Sequence, residues 1–158
     1  MPSKKQRLAE LKGDWTAAEI SVSYKPGVKP YQPITGTVEA YQLVYSLWDK
    51  ELITVQEQIM AVFMNRTGQV IGYRHLNTGN ISNCNIDTGL LVSLALHCMA
   101  SSVIIAHNHP SGNLTPSDAD VTLTKKVSDA LLLIDVTLLD HLIISSSNWL
   151  SMSAKGFL

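Results

Sequence analysis

The sequence lacks the features that mark several large classes of protein. It has two cysteines, Cys84 and Cys98, without a Cys-x-x-Cys pair, so neither a disulfide framework nor a cysteine-rich zinc site is expected. Its formal net charge is −1, which gives no electrostatic argument for binding nucleic acid or an anionic membrane. It also has no internal repeat and no low-complexity linker. These absences favour an ordinary globular domain.

Long hydrophobic runs are also missing. The longest apolar stretch covers residues 89–106 but contains His97 and several serines, so a buried helix followed by a buried strand explains it better than a membrane span. The N-terminus is basic and polar, without the apolar core of a signal peptide. We therefore expect a cytoplasmic protein with an N-terminal tail over residues 1–17 and one domain over residues 18–158.

Hydrophobic periodicity predicts helices and strands in alternation, and hence an α/β sandwich with a mixed β-sheet flanked by helices. Helices are predicted over residues 37–48, 88–99 and 116–133, with Thr37 and the Asp87-Thr88 pair as caps of the first two. Strands are predicted over residues 18–24, 56–65, 69–74, 103–106, 136–144 and 149–151. A hairpin turn is expected at residues 65–68 and a loop over residues 76–87.

The most informative stretch runs from His107 to Asp120. His107 and His109 follow a β-branched apolar run, and their spacing points both imidazoles to one side while the chain stays extended. Ser117 and Asp120 lie three residues apart at the start of the predicted helix, hence on one face. Two neutral imidazoles and one carboxylate suit catalytic zinc, with a fourth position left for water.

The start of that helix is predicted from its capping residues. Thr115 is expected as the N-cap, Pro116 as the first helical residue, and Asp118 as the residue that completes a capping box.

This stretch also carries a family resemblance. His-x-His, seven residues and then Ser-x-x-Asp resembles the pattern of the JAMM (MPN/JAB) metalloprotease domain. The residues His-Asn-His-Pro-Ser-Gly followed by Pro-Ser-x-x-Asp are similar to the RadC branch of that superfamily. The resemblance implies a JAB/MPN (cytidine-deaminase-like) sandwich that holds one Zn²⁺ per chain through His107, His109 and Asp120. It further implies hydrolysis of a peptide or isopeptide bond.

A zinc hydrolase also needs a proton acceptor that is not a metal ligand. Glu39, Glu51 and Glu57 are the candidates, and Glu57 is preferred because a carboxylate at the start of a hydrophobic strand is costly unless it has a partner. In the RadC branch a Glu opens the corresponding strand, which matches residues 57–65. The resemblance therefore implies that Glu57 passes a proton from the attacking water to the departing nitrogen, and that Ser117 hydrogen-bonds the oxyanion.

The resemblance extends over nearly the whole chain. The chain looks like the shorter RadC-like proteins found in bacteria and their mobile elements, and the resemblance therefore implies a bacterial protein. Longer RadC proteins carry an N-terminal helix-hairpin-helix segment, and its expected absence here weakens an inference of DNA binding. A second departure lies at Asp87-Thr88, where the family usually has Pro followed by Arg or Lys. This departure bears on a substrate or partner contact and not on the metal site.

The remaining histidines have simpler interpretations. His141 follows Asp140 inside a hydrophobic strand, so it is either a hydrogen-bonded structural histidine or a residue that supports a metal ligand. His75 and His97 have no partner at metal-ligand spacing and are expected to be structural.

The leading hypothesis is thus a zinc-dependent amide hydrolase whose partner is a peptide or protein substrate. One alternative is a DNA repair or recombination accessory protein without proteolytic activity, which depends only on the RadC family label and conflicts with the neutral charge. A salt-dependent affinity for DNA would favour it. Another alternative is an inactive metal-binding scaffold, which the full ligand set disfavours. Hydrophobic edge strands are compatible with a homodimer.

Overall fold

A computed structural model describes residues 23–25, 33–78 and 86–158. The predicted tail over residues 1–17 and most of the predicted strand over residues 18–24 lie outside this part of the chain. The described helices are α1 (Thr37–Leu47), α2 (Thr88–His97) and α3 (Asp118–Leu132). The described strands are β1 (Gln58–Met64), β2 (Val70–Thr78), β3 (Ser102–Asn108), β4 (Thr137–Ile144) and β5 (Trp149–Ser151).

The five strands form one mixed sheet in the order β2-β1-β3-β4-β5. The pairs β1–β2, β1–β3 and β4–β5 are antiparallel, and β3–β4 is parallel. Helix α3 connects β3 to β4 and provides the crossover that a parallel pair requires. The prediction of a mixed α/β fold is confirmed.

The sheet is covered on both faces, which is why every residue of β1 and β3 is buried. Alternate residues of the strands point to opposite faces. One face packs against α1 in a core that includes Val44, Met60 and Ile104. The other face packs against α2 and α3, with Ile59 and Ile105 in its core. The site described below lies on this second face, at the carboxyl end of β3.

Some predicted boundaries were wrong. Gly36, not Thr37, is the N-cap of α1, and the Gly36 carbonyl accepts a hydrogen bond from Ala40 N at 3.1 Å. Strand β2 runs to Thr78, three residues into the predicted loop, because it stays paired with β1 up to Gln58. The Asp87 cap of α2 is confirmed, since its side chain accepts from Leu90 N.

In the described part of the chain, no helix is long and apolar enough to cross a membrane.

Candidate metal centre

The end of β3 supplies two imidazoles on one face of the sheet. His107 is paired with Ile59 of β1 and is buried. His109 lies one residue beyond the end of β3, and its backbone N–H donates to Ile144 O of β4 at 2.9 Å. His107 is paired on both sides and His109 with β4, so the segment stays extended and both imidazoles lie on one face of the sheet, as the spacing predicted.

The start of α3 supplies the carboxylate. Ser117 is the N-cap, and its hydroxyl accepts from Asp120 N at 3.2 Å while it donates to Asp120 Oδ2 at 2.7 Å. The Ser117 N–H also donates to Asp120 Oδ2, at 2.7 Å. The predicted capping box of Thr115 and Asp118 is thus wrong by two residues, and Pro116 precedes the helix. The observed box holds the Asp120 carboxylate at the N-terminus of α3.

The three predicted ligands converge. One ligand atom each from His107, His109 and Asp120 lies within 4.8 Å of the others. His107 Nε2 is 2.8 Å from His109 Nε2 and 3.1 Å from Asp120 Oδ1, and His109 Nε2 is 3.6 Å from Asp120 Oδ2. Ligands about 2.0–2.1 Å from a tetrahedral zinc ion are about 3.3 Å apart. The observed separations bracket that value, so these residues fit a zinc ion.

The tautomer of His109 suits metal binding. Its Nδ1 lies 2.5 Å from the backbone carbonyl of Asn113, which can only accept a hydrogen bond. Nδ1 therefore carries the proton in the neutral imidazole, and the lone pair of Nε2 faces His107 and Asp120.

The tautomer of His107 is fixed by a longer chain of hydrogen bonds. The Thr124 hydroxyl donates its one proton to Asp120 O at 2.6 Å, so it must accept from His141 Nδ1, also at 2.6 Å. His141 is fully buried, and burial lowers its pKa well below the ordinary value, which keeps it neutral. Its Nε2 then accepts from His107 Nδ1 at 2.7 Å. The lone pair of His107 Nε2 is left for a metal.

The electrostatics of the cluster favour a cation. Burial alone would raise the pKa of Asp120, but the hydrogen bonds of its carboxylate with His107 and His109 outweigh burial and hold the pKa far below its usual range. The hydrogen bond with Asp120 in turn raises the pKa of His109, and the charge of Glu57 adds a smaller increase. Asp120 is therefore ionised at neutral pH and attracts either protons on the imidazoles or a metal ion.

Glu57 lies directly before β1. Because Ile59 faces His107 in an antiparallel pair, continuing that register by two residues places Glu57 opposite His109 on the same face of the sheet. Its contribution to the pKa of His109 agrees with this position. The other two candidate bases are exposed: Glu39 lies in the first turn of α1, which covers the opposite face, and Glu51 lies in a surface turn.

Two of the supporting residues were not predicted. Thr124 could have been found, because it lies four residues after Asp120 and therefore on the same face of α3. Asn113 contributes only a backbone carbonyl, for which a sequence carries no pattern. His75 packs edge-on against Trp48, and His97 donates to the backbone of Ser93 in its own helix. Neither belongs to the cluster of His107, His109 and Asp120.

Replacement of Thr124 by valine tests the chain of hydrogen bonds behind His107. The substitution keeps the shape of the side chain but leaves His141 Nδ1–H unpaired in the core, which should lower the free energy of unfolding by about 1–3 kcal/mol. Loss of a residue that orients a metal ligand should also weaken zinc binding by about 10–100-fold. Denaturant unfolding of the metal-free protein and zinc competition with a chelator measure the two effects.

Thr122→Val is the matched control for this variant. Thr122 lies on the same helix and donates to Asp118 O at 2.8 Å, but it is exposed. It precedes Thr124 by two residues and therefore lies on the other side of the helix. Its zinc affinity should equal that of the wild type. Equal zinc affinities of the Thr122 and Thr124 variants would contradict the orienting role of the chain.

A mixed α/β sandwich with a His-His-Asp cluster at a strand end defines a candidate metalloprotein. The family model described as the RadC-like JAB domain matches residues 34–157. The chain belongs to this family.

Three bacterial relatives illustrate the match. The chain is 39% identical over 103 residues to the UPF0758 protein YfjY of Escherichia coli, covering 65% of this chain and 64% of the relative. It is 38% identical over 103 residues to YkfG of the same organism, covering 65% of each. A UPF0758 protein of Flavobacterium johnsoniae is 39% identical over 100 residues, covering 63% of this chain and 44% of the relative. The chain thus spans less than two thirds of the length of these relatives, whose names assign no activity.

Proposed function

We propose that the chain is a zinc-dependent hydrolase of JAMM type that cleaves an amide bond in a peptide or an isopeptide. The observation that carries the proposal is the convergence of His107 Nε2, His109 Nε2 and the Asp120 carboxylate, with both imidazole lone pairs directed into the cluster. Family membership supports it.

His107, His109 and Asp120 would hold one zinc ion per chain. When bound, zinc would supply a Lewis acid that polarises the amide carbonyl and lowers the pKa of a water molecule. Three protein ligands leave a fourth position accessible, and His109 is the more exposed of the two histidines, so the open side of the site lies toward it.

Glu57 acts as the general base and then as the general acid. It is half-buried and lies opposite His109, so its carboxylate is close to the open side of the cluster without belonging to the ligand set. There it accepts a proton from the attacking water and delivers it to the departing nitrogen, as amide cleavage requires. The second transfer makes the amine a viable leaving group.

Ser117 stabilises the oxyanion in this proposal. Ser117 is exposed at the N-terminus of α3 and lies close to the proposed ligand Asp120. In the structure its hydroxyl donates to Asp120 Oδ2. Catalysis therefore requires a rotation about χ1 that turns the hydroxyl from Asp120 to the substrate, where developing negative charge is best stabilised. Until then, Ser117 orients the carboxylate.

The proposed substrate is a peptide or protein and not a nucleic acid, since the net charge of −1 provides no attraction to phosphates. The cytoplasmic location and the homodimer stay predictions.

Incubation of the zinc-loaded protein with a defined mixture of linear and isopeptide-linked peptides tests the proposal, with cleavage products identified by mass spectrometry. We expect products that require zinc and disappear when a chelator is added. Products that persist in the chelated protein would contradict the proposed chemistry and indicate a contaminating peptidase.

A further inference from the structure

Asn108 lies between the two histidine ligands, but its side chain points to the opposite face of the sheet. It is fully buried, on the face that packs against α1. A buried carboxamide is stable only when its donors and its acceptor are all paired. The partners of Asn108 therefore show what this polar residue does in an otherwise apolar strand.

All three partners are backbone groups of the segment that carries Glu57. Asn108 Oδ1 accepts from Gln58 N at 2.7 Å, and Asn108 Nδ2 donates to Gln56 O at 2.9 Å. The second Nδ2 proton is donated to Ile53 O at 2.7 Å. The peptide units on both sides of Glu57 are thus attached to one side chain of the ligand strand.

The segment needs such an attachment. Residues 49–57 belong to neither a helix nor a strand and consist largely of turns. The regular pairing of β1 with β3 begins only at Ile59, opposite His107. Between that pair and the turns, hydrogen bonds of the Asn108 side chain take the place of backbone pairing with β3. They therefore fix the position of the backbone at the start of β1, including that of Glu57.

We infer that Asn108 is a positioning residue that holds Glu57 at a fixed place relative to the metal ligands. Because His107 and His109 flank Asn108 in the chain, any displacement of the ligand strand also displaces the Glu57 segment, and the distance between base and ligands is preserved. The inference rests on the proposed function for the role of Glu57, but the attachment itself is independent of metal and substrate.

The attachment is tested by amide hydrogen exchange of the metal-free full chain. Asn108→Leu has nearly the volume of the native residue and suits the apolar surroundings, and Asn108→Ala is the second variant. In both, the Gln58 amide should exchange about tenfold faster or more, since a buried hydrogen bond is lost. Unchanged exchange at Gln58 in a folded Asn108→Leu variant would overturn the inference.

Asn65→Ala is the matched control. Asn65 follows the other end of β1, and its Oδ1 accepts from Thr67 N and Gln69 N, both at 3.0 Å. The control therefore removes a comparable set of side chain to backbone hydrogen bonds from the same hairpin. It should leave the exchange rate of the Gln58 amide at the wild-type value.

The consequence for the metal site is tested with cobalt(II) as a spectroscopic probe. The wild type, Glu57→Gln, Asn108→Leu and the double variant are each loaded with cobalt, and the pH at which the visible spectrum changes is measured. All should bind cobalt, because the ligands are intact. Asn108→Leu should move this pH in the same direction as Glu57→Gln, and the double variant should show no further shift.

Two results separate the possible failures. If Asn108→Leu keeps the wild-type pH midpoint and the Glu57→Gln shift persists in full in its background, Asn108 does not position Glu57. If the wild type binds no cobalt, the proposed function fails, and the exchange of the Gln58 amide alone then decides whether Asn108 fixes the segment.

Discussion

Glu57→Gln is expected to lower the rate of amide hydrolysis by about 10²–10⁴-fold, the usual contribution of a general base, while zinc stays bound. Glutamine has nearly the shape of glutamate but cannot accept and release a proton. The ligand set of His107, His109 and Asp120 does not include this residue, so the metal content should not change. Steady-state rates on any substrate found in the peptide mixture, measured beside zinc content, check both parts.

Glu51→Gln is the control for this substitution. Glu51 is an exposed carboxylate in the turn that precedes β1. The Glu51→Gln variant should therefore retain the wild-type rate and zinc content. A Glu57→Gln rate within about threefold of the wild-type rate would assign the proton transfers to another group, because removal of a general base lowers the rate by much more than this factor. Loss of zinc in this variant would instead make Glu57 a ligand.

Asp120→Asn is expected to weaken zinc binding by more than about 100-fold, the upper limit for residues that only support a ligand. The substitution removes the charge that offsets the divalent ion and replaces one carboxylate oxygen by an amide nitrogen, which cannot coordinate zinc. The remaining oxygen can take the place of Asp120 Oδ2 and keep the hydrogen bonds donated by Ser117, and the amide nitrogen then faces His107 Nε2 in the place of Asp120 Oδ1. Competition with a chelator of known affinity measures the loss.

Asp118→Asn provides the comparison on the same helix. Asp118 lies in the same first turn of α3 but is exposed, so both variants lose one negative charge near the helix N-terminus. Only Asp120→Asn should lose zinc. An equal, small loss in both variants would mean that the carboxylate acts through the general charge of the helix end and not as a ligand.

The order of helices and strands could be predicted from the sequence because each has a clear hydrophobic period. The position at which α3 begins could not. Thr115 and Ser117 are each followed by an aspartate three residues later, at Asp118 and Asp120, so two capping boxes overlap. The second is formed, and in it the Asp120 carboxylate also meets His107 Nε2 at 3.1 Å. The capping box that forms is thus the one whose aspartate also makes a tertiary contact.

His107, His109 and Asp120 could be predicted as a set because their spacing within fourteen residues is a local pattern. Two contacts behind the site join residues that are distant in the chain. His141 follows His107 by 34 positions, and Asn108 reaches back 50 positions to Gln58. Such pairs depend on which strands are neighbours, which hydrophobic periodicity does not specify. The pairing of β3 with both β1 and β4 brings them together.

The most direct test of the proposed metal centre is elemental analysis of the purified wild type beside His109→Ala and Glu57→Gln. We expect about one zinc per chain in the wild type and in Glu57→Gln, as for a single site with three protein ligands. His109→Ala should lose the metal, since one of those ligands is removed. A wild type that holds no metal, even after reconstitution with zinc, would contradict a zinc hydrolase.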